Sequence, residues 1–482
     1  MSPTAPRYTA LRLAEIIGVE PPTEEQQRII EGPLDTAVVI AGAGSGKTTV
    51  IAQRVVYLVA NGIVDAESIL GLTFTRKAVG ELNERIRRLL HRFRDAEGDR
   101  RGTTDLPGLD VPTVTTYNSF AAGIVSDHGV RIGVEPESRL LDIADAMELA
   151  GTVVDAATDR EIPPNVARST VIDQILGLSS QINEHLQTPE AVIDHLDDCL
   201  DAFLTGEAFT AHLDAIRRKR IPKEDKAQLI DEATALAARA GLGEVPAGRL
   251  SRSRAADPAR LELIDLLAGL APDTVLPLVH KRRVGVLSRR YLDLKRARSA
   301  MEFSDQVAFA HRIMTEVPAV RGIERARWSV VMLDEYQDTS DSQFELLRTV
   351  FAGLPVMAVG DPRQSIYGWR GASARNIGEF PLHFRSPDGT PARALTLSTS
   401  WRNDADVLAV ANRLAAALPD ADPDDALTAR PEAGPGRVDI SATPGDPDPE
   451  YGSDQWAGLA QWMVETGEEA PARTRAVLCR MR

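Results

Sequence analysis

Apolar residues in this chain fall into two patterns that alternate along its first quarter. AVVIAG (37–42), SILGLTFT (68–75) and the start of VPTVTTYNSF (111–120) are short runs rich in β-branched residues, the mark of buried strands. GSGKTTVIAQRVVYLVANG after the first run and RKAVGELNERIRRLL after the second carry apolar positions at helical spacing. Strand–helix alternation of this kind predicts a parallel sheet covered by helices. The polar stretch DAEGDRRGTTDLPGLD (95–110) predicts an open loop. Between 122 and 300 the pattern is helical throughout, as in AMELAGTVVDAA, VIDQILGLSSQINEHL and ARLELIDLLAGL, and predicts an inserted helical domain. Alternation resumes with RWSVVMLDEYQD and LLRTVFAGLPVMAVGD, and ARALTLSTSWRN (392–403) predicts the opening of a further α/β unit. Residues 417–436, rich in Pro, Asp and Ala, read as a linker without core-forming capacity; 437–445 predicts a strand, 454–467 a helix and 474–482 a last buried strand.

The sheet-and-helix pattern needs a sizeable core, and 482 residues, 43% of them apolar, supply one. No apolar run is long enough for a membrane span, the N-terminus lacks a basic segment leading into an apolar one, and the two cysteines, Cys199 and Cys479, make neither a disulfide framework nor a zinc site. A cytoplasmic protein without membrane association is expected. The net charge of -15 disfavours nucleic acid as a partner on the whole-chain sum, but local positive clefts decide such binding. Three basic clusters qualify: Arg85, Arg87, Arg88, His91, Arg92 and Arg94; then Arg217, Arg218, Lys219, Arg220, Lys223 and Lys226; then a run from Lys281 to Arg298.

The candidate chemistry begins at the first strand–helix junction. AGAGSGKT (41–48) follows the phosphate-loop pattern apart from Ala41 in its first position. Its glycines Gly42, Gly44 and Gly46, with Ala43 and Ser45, let the backbone N–H groups converge on an anion at a helix N-terminus. Lys47 is placed to reach the β/γ-phosphates of ATP, and Thr48 to ligate Mg²⁺. In VVMLDEYQD (330–338) a buried strand carries acids at its C-terminal tip: Asp334 is expected on the metal, and Glu335 as the base or water-orienting residue. MAVGDPRQSIYGWRGA (357–372) adds Gln364 as a γ-phosphate sensor, and Tyr367 and Trp369 beside Arg370 for stacking on bases and contacting phosphate.

Together these blocks resemble superfamily 1 DNA helicases of the UvrD/PcrA/Rep/RecB group, over roughly residues 20–482 and in the family's order. By this resemblance Gln26 in PTEEQQRII reads the adenine edge, and the nucleotide-binding loop extends to Thr49. LTFTRKA (72–78) resembles motif Ia, with Phe74, Thr75 and Arg76 on DNA, and TYNSF (116–120) motif Ib, with Thr116 and Asn118. The family has asparagine more often at Arg76, histidine at Asn118 and phenylalanine at Tyr336. MEFSDQVAFA (301–310) matches the block before motif II, with Asp305 its acidic residue, and LSTSWRND (397–404) resembles motif IV, where Trp401 stacks on adenine and Arg402 meets the γ-phosphate. The resemblance implies an α/β P-loop NTPase: a RecA-like motor domain 1A (1–121 and 301–390), a helical insertion 1B (122–300) and the start of a second RecA-like domain 2A (391–482). It implies an ATP- and Mg²⁺-dependent 3'→5' helicase or translocase on single-stranded DNA and its junctions or ends, in repair or recombination.

FTRKA and DEYQDTS look most like actinobacterial helicase–nuclease subunits of the AdnAB type, which brings a paralogous helicase–nuclease subunit into view as a partner. Nothing matches the family's motifs V and VI, so the sequence is expected to be C-terminally truncated. A P-loop kinase or other NTPase would account for AGAGSGKT and LDE but not for QSIYGWR or the distant WRN. A scaffold subunit dependent on a partner is the other alternative, against which the intact Lys47, Thr48, Asp334, Glu335 and Gln364 argue.

Overall fold

The computed structural model describes residues 6–101, 111–135, 137–205, 222–242, 257–270, 272–368, 371–373, 375–386, 388–418 and 426–439, with isolated residues within 207–214 and after 457. Trp369, Arg370, residues 217–220 of the second basic cluster, most of the strand expected at 437–445 and most of that at 474–482 lie outside the described residues.

The central element is a parallel sheet of six described strands in the order β3-β2-β6-β7-β1-β8. These are β1 (Ala37–Ala41), β2 (Ile69–Thr73), β3 (Thr113–Thr116), β6 (Val330–Leu333), β7 (Val356–Gly360) and β8 (Arg393–Leu397). The short β4 (Arg139–Leu140) and β5 (Ala300–Met301) pair beside the sheet where the chain leaves for the helical region and returns from it. The central strands are apolar on both faces because both are covered. Val38, Leu70, Leu72, Val331, Leu333, Val356 and Ala358 pack into one core with the helices Tyr117–His128, Phe303–Glu316, Asp341–Phe351 and Arg375–His383. Val39, Ala41, Ile69, Val330, Met332, Met357 and Val359 point the other way, onto the helices Ala10–Ile17, Glu24–Ile30, Lys47–Ala60 and Arg76–Arg101. Each strand thus divides its side chains by the alternation of its pleat.

Among its described residues the helical stretch has two cores of its own. One, around Leu149, Val153, Ile175, Leu287 and Tyr291, adjoins the sheet domain, and the other, around Leu200, Leu204, Leu236, Leu263 and Val279, lies farther along the same long helix Val275–Ala297. The third basic cluster sits on that helix and is largely consumed internally. Arg282 pairs with Asp197, Arg283 with Asp265, Arg290 with Glu161, and the buried Lys295 with Glu302 and Asp305.

Three expectations need correction. The segment at 392–403 does not open a separate unit: β8 is hydrogen-bonded along β1, with Ala37 opposite Arg393 and Ala41 opposite Leu397. The first domain therefore runs past 391, because the apolar edge of β1 needs a neighbour and Arg393 is fixed by a two-bond pair with Asp35. The helix from Arg76 continues into the expected loop as far as Arg101, and residues 102–110 of that loop lie outside the described residues. Glu97 explains why, since it is buried and accepts a 2.7 Å hydrogen bond from the Tyr8 hydroxyl. Within the expected linker, Leu427 is locked by the Asn412 amide, and β10 (Thr428–Ala429) pairs in parallel with β9 (Thr399–Ser400). Among the described residues no helix is long and apolar enough to cross a membrane.

Candidate functional site

The C-terminal ends of β1, β2, β3, β6 and β7 open on one edge of the sheet, where a parallel α/β sheet binds its ligands. From β1 the chain turns through Gly42–Gly46 into the helix Lys47–Ala60. Gly44 (φ +77°) and Gly46 (φ +88°) occupy the left-handed region, which a side chain at either place would strain. Gly46 starts the helix without a side-chain cap, so the first N–H groups of the turn remain available to an anion. Ser45 Oγ is buried without a partner. Lys47 Nζ makes no hydrogen bond and lies 3.2 Å from Glu335 Oε2 as an ion pair. A buried cation and hydroxyl left in this state beside a glycine loop fit a polyphosphate.

Asp334 directly follows β6, buried, with its carboxylate accepting from the Glu335 N–H at 3.0 Å and from the Thr48 hydroxyl. Burial and the neighbouring Glu335 push its pKa up to about 7, against the pull of Lys47. A carboxylate so expensive to ionise, facing a threonine hydroxyl, is an oxygen donor set suited to Mg²⁺. Glu335 has φ +49°, unusual for a residue with a side chain, and its Oε2 accepts from Gln337 Nε2 at 2.9 Å. Tyr117 donates its hydroxyl to the Asp334 carbonyl at 2.9 Å. Asp338, buried near Glu335, has a pKa raised by burial and by Glu335 to about 6.

Gln337 was not singled out in the sequence, yet it joins two motifs. Its Oε1 accepts from the Asp361 N–H at 3.0 Å, its carbonyl accepts from Ser365 Oγ at 3.0 Å, and a side chain at Gly360 would strike its amide. Asp361 in turn accepts from Gln364 Nε2 at 2.6 Å. Gln364 shares a cavity of about 200 Å³ with Gly42, Ala43, Asn412 and Leu427. Beyond it, Tyr367 stacks on Phe74 with ring centroids 4.7 Å apart. Phe74 is half-buried, and Thr75 and Arg76 are exposed at the start of the helix that Thr75 caps. Thr116 caps its own helix and is buried, while Asn118 accepts from Gln343 at 2.8 Å. Glu184, from the helical insertion and also missed, accepts from the Ser342 N–H and lies under Gly371. Asp305 is a buried structural acid bound by Lys295, Asn183 and the Glu302 N–H.

On the far side of the loop, Ser400 Oγ donates to the Ala43 carbonyl at 3.1 Å and the Trp401 N–H to that of Gly44 at 2.8 Å. Arg402 follows, with its Cβ against Gly44 and its side chain exposed. Gln26 is buried, with its Nε2 beside Gly46. Gln26, Gly46, Thr49, Arg85, Leu89 and Trp401 line a cavity of about 370 Å³, in which Arg85 donates to Thr49 Oγ1.

A parallel sheet of this strand order, with a glycine loop after β1 and acids at the tip of β6, defines a RecA-like P-loop NTPase fold carrying helical insertions. The chain belongs to the UvrD/REP helicase family, whose N-terminal domain matches residues 22–385. It is similar to an ATP-dependent helicase/nuclease subunit of Streptococcus sanguinis, 26% identical across 81% of this chain and 38% of that protein. RecBCD enzyme subunit RecB of Mycolicibacterium smegmatis is 30% identical across 81% of this chain and 30% of its own length. ATP-dependent DNA helicase UvrD1 of Mycobacterium leprae is 25% identical across 82% of this chain and 39% of its own. The chain thus spans two fifths or less of each of these relatives.

Proposed function

We propose that this chain is the ATP-hydrolysing part of a DNA helicase or translocase moving 3'→5' on single-stranded DNA, at junctions or ends processed in repair or recombination. The observation that carries the reading is an unbroken polar path from Lys47 through Glu335, Gln337 and Asp361 to Gln364, in the same turn that three residues later brings Tyr367 onto Phe74. It links the phosphate loop to an aromatic surface suited to bases.

ATP is the substrate. The loop N–H groups, Ser45 and Lys47 bind its phosphates, Gln26, Thr49 and Trp401 its base side, and Gln364 and Arg402 the γ-phosphate. Thr48 and Asp334 would hold Mg²⁺, which when bound withdraws charge from the phosphate oxygens. As Lys47 turns to the phosphates, its ion pair with Glu335 opens and that carboxylate becomes free to orient water. The water oxygen bonds to the γ-phosphorus, the bond to the β–γ bridging oxygen breaks, and the proton passes towards Glu335. Gln364, on the γ-phosphate, moves with Asp361 and Gln337 and displaces the ring pair, with Thr75, Arg76, Thr116, Asn118, Trp369 and Arg370 on the strand. Similarity to the helicase/nuclease protein of Streptococcus sanguinis and to RecB supports a helicase–nuclease assembly of the AdnAB kind, in which the partner is a paralogous subunit.

ATPase rates with and without single-stranded DNA, on this chain and on Lys47→Ala, test the reading. Stimulation by DNA that vanishes in the variant is expected, and hydrolysis indifferent to DNA would leave a generic P-loop NTPase. Translocation towards a streptavidin block at either strand end reads the polarity.

A further inference from the structure

The helix Glu24–Ile30 carries two side chains that face the same cavity problem from different directions. Gln26 points at the phosphate loop and is fixed by reciprocal bonds with Thr23, at 3.1 and 3.3 Å, that begin the helix. Its neighbour Glu25 faces the strand edge. There both carboxylate oxygens are taken by one residue: Oε2 accepts from the Ser398 N–H at 2.9 Å and Oε1 from Ser398 Oγ at 2.7 Å.

Ser398 lies at the turn between β8 and β9, just before Trp401. After it, the segment is hydrogen-bonded to the phosphate loop through the carbonyls of Ala43 and Gly44. Those two bonds set how close Trp401 lies to the loop, but both acceptors belong to the loop itself and shift with it. β10 holds the segment from its outer side, with the Thr428 N–H on the Ser398 carbonyl and Arg430 on the carbonyls of Ser400 and Trp401. Glu25 is the anchor that comes from the Gln26 helix itself, and it makes charge-assisted bonds of the kind that hold a geometry. Gln26 and Trp401 both line the 370 Å³ cavity beside Gly46, Gln26 from the helix that Glu25 belongs to and Trp401 from the segment that Ser398 opens.

We infer that Glu25 is a positioning residue for base recognition: by holding Ser398 it fixes the distance between Gln26 and Trp401, and so the width of the base pocket. The inference rests on the nucleotide reading of this cavity. Glu25 touches neither phosphate nor base. Its removal widens the pocket while the phosphate loop, held by Gly44, Gly46 and the helix behind them, stays as it is.

Inorganic tripolyphosphate engages the loop without a base and separates the two effects. Calorimetric titrations of the full chain with ATP and with tripolyphosphate, each with Mg²⁺, are made on the native protein, Glu25→Ala, Ser398→Ala and the double variant. Glu25→Ala is expected to weaken ATP about tenfold and to change tripolyphosphate less than about twofold. Ser398→Ala loses the hydroxyl bond but keeps the N–H bond, so about a threefold weakening of ATP alone is expected, and the double variant should be no worse than Glu25→Ala. Because Ser398→Ala alters no helix, it carries the test if Glu25→Ala fails to fold. Equal loss for ATP and tripolyphosphate in Ser398→Ala, or loss for neither, overturns the role of Glu25. Native protein that binds ATP no more tightly than tripolyphosphate overturns something larger, the base pocket itself.

Discussion

Two buried residues at the motif II strand tip make opposite demands on their surroundings. Tyr336 is fully buried, edge-on to Phe380 and Phe384, and its hydroxyl has no partner. An unsatisfied buried hydroxyl costs stability, and the rings would pack as well without it. Tyr336→Phe, the residue more common in similar helicases, is expected to gain roughly 1 kcal/mol in urea unfolding with ATPase unchanged. Asp334 is the reverse case, a destabilising group kept for its chemistry. Its pKa rises from 3.8 to about 7 on folding, so the folded state holds its proton more tightly than the unfolded one. Its contribution is therefore fully present at low pH and is lost as pH rises through that window. In EDTA, Asp334→Asn should match the native melting temperature near pH 4 and exceed it near pH 8, and Mg²⁺ with a non-hydrolysable ATP analogue should raise only the native protein. Both residues were visible in the sequence as LDEY, but the full burial of Tyr336 and the empty hydrogen-bonding around it were not, since those depend on Phe380 and Phe384, on a later helix and just past its end.

At the scale of elements, the phosphate-loop helix also organises what surrounds it. Arg54 is buried among the ends of the Gln26 helix and donates to the carbonyls of Ile29, Ile30, Gly32 and Pro33. Burial lowers its pKa to about 10, which still leaves it charged near neutrality. Arg54→Ala is expected to cost roughly 3 kcal/mol and to weaken ATP, because four carbonyls lose their donor and the Gln26 helix its footing; denaturant curves and ATP titrations read the two effects. Local periodicity revealed most elements here: β1, β2, β6 and β7 announce themselves as apolar runs, and the glycine loop by its spacing. Three features were hidden for a common reason. The helix past Asp95 depends on Glu97 meeting Tyr8, β8 on Asp35 meeting Arg393, and β10 on Leu427 meeting Asn412. Each is a pairing with a residue outside the element's own stretch of chain, invisible to a window of neighbouring residues. Gln337 escaped in the same way, because its partners Asp361 and Ser365 come from the next strand and its turn.

At the scale of the whole molecule, four apolar cores among the described residues divide the labour. Two clamp the sheet, and two belong to the helical insertion, whose outer core lies around Leu263. Leu263→Ala should remove about 2–5 kcal/mol from that outer core. Hydrogen exchange is expected to quicken in helices Lys223–Arg239 and Pro258–Leu270 while protection of β1 and β6 and the affinity for ATP stay unchanged. The way the chain leaves the sheet has a mechanical meaning. β8 lies at the sheet edge, parallel to β1, and ends level with the start of the glycine loop. A pull on the chain beyond it loads the β1–β8 hydrogen bonds along their length, in shear, so that they resist together instead of opening one after another. Tension from downstream is thereby delivered to the base of the phosphate loop as a stretch of its supporting strand, and the loop is built where the molecule would feel a load first.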